Sequence, residues 1–125
     1  MGMEVYKCSN WDNYLYVEAY SYQGEKGFYA ELLEDNSYVA EADTVVLSNG
    51  GSLNGSIQIA FDSTAKTFAI SYDTGSGPVP FGSFGVAGAG GADGNANWLM
   101  SDADLFCVDV YGFSRGTTIG SGKLY

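Results

Sequence analysis

Apolar and polar residues alternate with period two along much of this chain, the pattern of half-buried β-strands. The clearest unit is GSIQIAFDSTAKTFAISYD, residues 55–73. Folding it at Asp62–Thr67 pairs Phe61 with Phe68, Ile59 with Ile70 and Ile57 with Tyr72. All six side chains then share one face, so hydrophobic register and turn agree. Gln58, Ala60, Ala69 and Ser71, small and polar, fall on the other face. A second hairpin is predicted over 11–35, turning at Gln23-Gly24-Glu25-Lys26-Gly27. Its first strand puts Leu15, Val17 and Ala19 on one face and Tyr14, Tyr16, Glu18, Tyr20 and Tyr22 on the other.

Further strands are predicted over 37–48, 104–111 and 117–125. In 104–111, Phe106, Val108 and Val110 point one way and Cys107, Asp109 and Tyr111 the other. Ser101 to Leu105 is at most a short turn, and little or no helix is expected. Short runs bounded by Gly, Asn, Asp and Ser indicate an all-β protein. No linker divides the chain, which reads as one domain over 1–125.

Composition agrees. The chain has 125 residues, 46% hydrophobic, with 18 Gly, 10 Tyr and 7 Phe. That supports a real core, and the aromatics favour strands. The formal charge is −10. Phosphate binding needs clustered Lys and Arg, and Lys7, Lys26, Lys66, Arg115 and Lys123 are scattered. Nucleic acid and anionic membrane are therefore poor partners, and no run of ~20 apolar residues exists to insert into a membrane. The start, MGMEVYKCSN, lacks a signal-peptide pattern. Two locations stay open: extracellular or cell surface, with a leader preceding this sequence, or cytoplasmic.

The residue types remove many chemistries. There is no His, hence no Ser-His or Cys-His pair and no His-ligated metal. Cys8 and Cys107 can form a disulfide closing a very long loop, or remain two buried thiols. The stretch GVAGAGGADGNANWLMSDADLF, residues 85–106, is no dinucleotide fingerprint: Gly88 and Gly90 begin G-x-G, but the third position falls on Asp93. Its alternating Asp93, Asn95 and Asn97, followed by Asp102 and Asp104, suit calcium, which takes 6–8 oxygen ligands. Asp and Asn that cap their own turns would produce the same pattern. Asn54-Gly55-Ser56 is a glycosylation sequon, relevant only in a eukaryotic secretory setting.

Trp11 and Trp98 lie among Asn and Asp, the composition of a sugar contact, where indole stacks and amides bond hydroxyls. Plugging the end of a sandwich is the alternative role for either. The tyrosine stripe reads first as one face of a core, the usual role of period-two aromatics, and second as a sugar platform. Trp11, Asn13, Tyr14, Tyr16 and Trp98 are the candidate ligand contacts. Glu18, Glu31, Glu34, Glu41 and Asp43 are candidates for carboxylate-pair catalysis by residue type alone.

The hairpin IAFDSTAKTFAISYD resembles the concanavalin A-like lectin/glucanase superfamily, whose jelly-roll sandwiches often carry a strand–D-x-[ST]-x-K–strand hairpin. The run from Phe81 to Tyr125, with its FCVDVYG strand and GKLY ending, is similar to uncharacterised secreted bacterial domains. The resemblance implies an antiparallel β-sandwich of jelly-roll type. Glycosidases of that superfamily carry E-x-D-x-x-E; the nearest match, Glu41-Ala42-Asp43-Thr44-Val45-Val46, ends on Val46 and lacks the last acid. The expectation is a non-enzymatic, calcium-assisted or calcium-free carbohydrate-binding module. The alternatives are a structural protein forming homo-oligomers through an edge strand and, third, a glycoside hydrolase.

Overall fold

A computed structural model of the chain describes residues 1–111. Every regular element in them is a β-strand: β1 Gly2–Lys7, β2 Asn10–Tyr22, β3 Glu25–Glu34, β4 Ser37–Leu47, β5 Ser56–Asp62, β6 Thr67–Asp73, β7 Val79–Gly85, β8 Gly94–Asn95 and β9 Phe106–Tyr111. The strands form two sheets, ordered β4-β3-β2-β1-β9 and β5-β6-β7-β8. All pairings are antiparallel except the two-residue β7–β8 contact. The strand expected over 117–125 lies outside the described residues.

The β5–β6 hairpin has the expected register, with Phe61 opposite Phe68, Ile59 opposite Ile70 and Ile57 opposite Tyr72. Asp62 caps its turn, its Oδ1 accepting from the Thr64 and Ala65 amides at 2.8 and 2.9 Å. Those bonds hold its carboxyl below the usual range. The β2–β3 turn is tighter than expected. Only Gln23 and Gly24 lie in it, both at positive φ (50° and 87°), because such a two-residue turn matches strand twist. Glu25, Lys26 and Gly27 already belong to β3. Asp35 and Asn36, at φ 49° and 60°, make a like turn between β3 and β4.

The sheets pack face to face. Val5, Leu15, Leu32 and Ala40 form one cross-strand row, and Met3, Val17, Ala30 and Ala42 the next. They meet Phe68, Ile70 and Phe84 of the other sheet in one core. Closure along β4 depends on glycine: a Cβ on Gly94 would collide with the Ala40 side chain. Of the three residues expected inward on β9, Phe106 packs against the core. Val108 and Val110 share its face but are 54% and 43% exposed.

Each sheet is a run of consecutive hairpins, β1 to β4 and then β5 to β7. A jelly roll consists of two Greek keys, so jelly-roll connectivity is not what the described residues display. Cys8 and Cys107 are bonded, their Cα atoms 5.1 Å apart and 99 residues apart in sequence. The bond ties the end of β1 to β9.

Candidate functional site

Two regions hold the residues the sequence singled out. One is the end of the sandwich capped by the glycine-rich stretch. Gly88, Gly90 and Gly91 have φ of 79°, 78° and 76°, and a Cβ on Gly85 or Gly91 would collide with backbone. The stretch therefore folds back on β7. Ala96 N donates to Gly85 O at 2.9 Å and Trp98 N to Val86 O at 3.0 Å.

This fold-back carries Trp98 into the core, where it is 1% exposed. Its Nε1 donates to Leu33 O at 2.8 Å, and Phe68 and Phe106 lie beside its ring at 5.8 and 6.4 Å. Asn13 is also buried, at 4% exposure, and its Oδ1 accepts from the Asp35 amide at 2.9 Å. Neither side chain faces solvent, which corrects the expectation that they contact ligand. Trp98 is the plug of the sandwich end, and Asn13 a clamp on the β3–β4 turn. Trp11, by contrast, is 77% exposed.

The candidate calcium ligands are occupied separately. Asp93 Oδ2 accepts from Ser83 N at 2.7 Å. Asn95 sits in β8, its Oδ1 against Gly85. Asn97 Oδ1 accepts from Leu99 N at 3.3 Å. Asp102 pairs with Lys66 at 2.7 Å and Asp104 with Lys7 at 3.4 Å. Lys66 holds the Asp102 carboxyl low, and the Ser101 amide does the same for Asp104. Among the described residues no group of three or more His, Cys, Asp or Glu side chains is gathered to hold a metal. Asp102 and Asp104 instead line a cleft of about 540 Å³ with Phe61, Met100 and Phe106.

The second region is the outer face of the five-stranded sheet. Pairing across strands places side chains in rows. One runs Asp109, Glu4, Tyr16, Glu31, Glu41; the next runs Tyr111, Gly2, Glu18, Tyr29, Asp43. Tyr6 and Tyr14 flank them on one side, and Tyr20 and Tyr22 on the other. No lysine or arginine of the described residues joins them: Lys7 and Lys26 fall on the opposite parity, facing Phe106 and Ser21, and Lys66 lies in the β5–β6 turn.

Tyrosine hydroxyls donate to these carboxylates. Tyr16 bonds Glu18 at 2.6 Å, Tyr29 bonds Glu41 at 2.9 Å and Tyr111 bonds Glu4 at 3.3 Å. Glycines let the rings lie close to the sheet. A Cβ on Gly2 would sit 3.2 Å from both the Tyr16 and Tyr111 rings, which stack 19° from parallel with centroids 6.1 Å apart. A Cβ on Gly27 would sit 2.9 Å from the Tyr20 hydroxyl.

Partial burial and the facing carboxylates disfavour phenolate. They push Tyr20 and Tyr111 up to about 12 and raise Tyr14, Tyr16 and Tyr29 as well. The rings therefore stay neutral donors. The stripe on β2 foresaw Tyr14 and Tyr16 on this surface. Tyr29, Tyr111, Glu4 and Asp109 were missed as members of it, although period-two alternation along β3 and β9 carried the signal.

Fold and surface together define a class: an all-β protein of two packed sheets, one bearing an aromatic, acidic outer face. No protein-family model, no curated protein and no solved structure matches the chain.

Proposed function

We propose that the protein is a non-catalytic carbohydrate-binding module whose ligand lies across the outer face of the five-stranded sheet. The observation carrying this reading is the Tyr16–Tyr111 stack over Gly2, with Glu4 in the same cross-strand row as Tyr16 and Glu18 in the same row as Tyr111. Flat apolar ring faces suit the C–H faces of sugars, while carboxylates and phenols exchange hydrogen bonds with hydroxyls. The Cys8–Cys107 disulfide favours an extracellular or cell-surface setting, since such bonds persist in oxidising compartments. The hairpin resemblance to concanavalin A-like lectins points the same way, by analogy of fold alone.

The test is titration of the protein with a glycan panel, followed by aromatic fluorescence, with and without calcium. Saturable change with at least one glycan supports the reading, and dependence on calcium would add the ion as a cofactor. A flat response across the panel overturns it. Product analysis on the bound glycan separates binding from glycosidase activity.

One observation favours self-association as a second reading: β9 leaves Val108 and Val110 54% and 43% exposed. Exposed apolar side chains on such a strand invite pairing with another copy. Light scattering showing a mass independent of concentration, equal to one chain, excludes it.

A further inference from the structure

We infer that the Cys8–Cys107 disulfide is a redox clasp: a dithiol reductant opens it, and β9 then separates from β1 while the rest of the sandwich stays folded. The inference goes beyond the carbohydrate reading and does not depend on it. The bond lies at the surface. Cys8 is exposed in the turn between β1 and β2, and Cys107 is half-buried near the start of β9. Neither belongs to the core. An incoming thiolate can therefore reach the bond, and access is one of the factors that set the rate of exchange.

The bond holds an edge strand. Among the described residues β9 pairs with β1 alone, from Lys7 opposite Phe106 to Gly2 opposite Tyr111. Its attachments crowd at the disulfide end. Phe106 packs against the core, whereas Val108 and Val110 are 54% and 43% exposed. Cys8 N donates to Leu105 O at 3.0 Å. Lys7 Nζ lies 3.4 Å from Asp104 and donates to the Trp98 and Leu99 carbonyls at 3.1 and 3.0 Å. At the far end Tyr111 stacks on Tyr16 and donates to Glu4. While the bond is closed, the joint at Cys8 cannot part, and β9 reseats after any fraying. Once it opens, β9 is a strand with little buried apolar surface, the kind that opens ahead of the core.

The chemistry is thiol–disulfide exchange. A thiolate of the dithiol attacks Cys8 Sγ, a mixed disulfide forms, and Cys107 leaves as a thiolate that takes a proton. The second thiol of the donor attacks its own sulfur in the mixed disulfide and releases Cys8, which is protonated in turn. Two electrons and two protons pass to the protein, and the donor is oxidised to its own disulfide. Release uncovers the backbone edge of β1, Gly2–Lys7, and an open edge can pair with another strand. It also takes Tyr111 from Tyr16, so the outer face is complete in the oxidised chain alone.

The experiment is hydrogen–deuterium exchange of the full chain before and after reduction with dithiothreitol, with iodoacetamide labelling to count thiols. Both cysteines should label without denaturant. Exchange of the β9 amides should then accelerate at least tenfold more than that of the β5–β6 hairpin, which reports unfolding of the whole sandwich. Reoxidation should restore the original protection. Failure of the cysteines to label without denaturant overturns the inference, as does unchanged exchange in β9 once both are labelled. Equal acceleration in β9 and the β5–β6 hairpin, or unfolding of the chain on reduction, also overturns it: the bond would then be a staple of the whole fold.

Discussion

The two sheets turn very different faces to solvent. On the four-stranded sheet the outer positions are Gln58, Ala60, Ala69 and Ser71, small or polar, with Pro80 nearby. On the five-stranded sheet the same positions hold Tyr14, Tyr16, Tyr20, Tyr29 and Tyr111 among Glu4, Glu18, Glu31, Glu41 and Asp43. Both faces belong to the same sandwich and cover the same core. Folding therefore does not require aromatic rings or opposed carboxylates on an outer face. The difference locates where this chain departs from what packing alone asks, and such departures mark functional surfaces.

The comparison predicts that stability resides in the core and its staples, with the tyrosine face a minor contributor. Trp98→Ala should have the largest effect. Losing a fully buried indole costs about 3–5 kcal/mol, and the Leu33 carbonyl loses its donor as well. Chemical denaturation should show the loss. If Trp98→Ala is tolerated, the sandwich end is not plugged as described.

Next comes the disulfide. Replacing Cys8→Ser and Cys107→Ser together should cost about 2–4 kcal/mol, since the bond closes a loop of 99 residues. The same change should perturb the tyrosine face, because β9 brings Tyr111 to it. Reduced Tyr16–Tyr111 coupling in near-ultraviolet circular dichroism would check this.

The phenols make the third prediction. Tyr20 and Tyr111 titrate near 12 in the folded chain against an ordinary value of 10.0. Between these values the folded state binds more protons than the unfolded one, so stability falls as pH rises. The contribution is fully present below pH 10 and lost through about pH 12. Phenolate absorbance should lag the ordinary tyrosine curve until unfolding, then jump. A titration matching free tyrosine would dissolve the distinction between the two faces.

Smaller again is Tyr16→Phe, which removes the 2.6 Å bond to Glu18 but keeps the ring. It should cost about 1 kcal/mol, with the stack on Tyr111 intact. Smallest is Glu31→Gln. Relieving the repulsion with Glu41 should stabilise by about 0.2–1 kcal/mol, whereas Gln58→Ala on the plain face should change nothing measurable. Thermal unfolding of the two variants side by side would sharpen the contrast, and a destabilising Glu31→Gln would reverse it.

Period two made the β5–β6 hairpin readable down to its residue pairs, because each side chain there has one acceptable face and the turn agrees. It also placed Tyr14, Tyr16 and Tyr20 together. Strands β1 and β7 were not foreseen. β1 has only Met3 and Val5 as inward positions, too few for a pattern. β7 contains Pro80 and Gly82, residues that argue against strand, yet Gly82 leaves room for the Phe84 ring beside it.

The wrong assignments share a cause. Trp98 and Asn13 stand among polar neighbours in the sequence, so both were candidate surface contacts, although plugging the sandwich end was the other role open to Trp98. Only the fold-back of the glycine-rich stretch onto β7 shows that Trp98 lands in the core. Only the tight turn at Asp35-Asn36 shows what Asn13 is for.

Local sequence determined β2 to β6 and β9, their two faces and the excess of acid over base. Those follow from alternation and residue type, which act between near neighbours. Tertiary structure decided which strands became neighbours. It set β9 beside β1 and so put Tyr111 on Tyr16 and Asp109 on Glu4, residues far apart in the chain. No local pattern encodes such pairings, because the burial that selects them exists only once both sheets have closed over a common core.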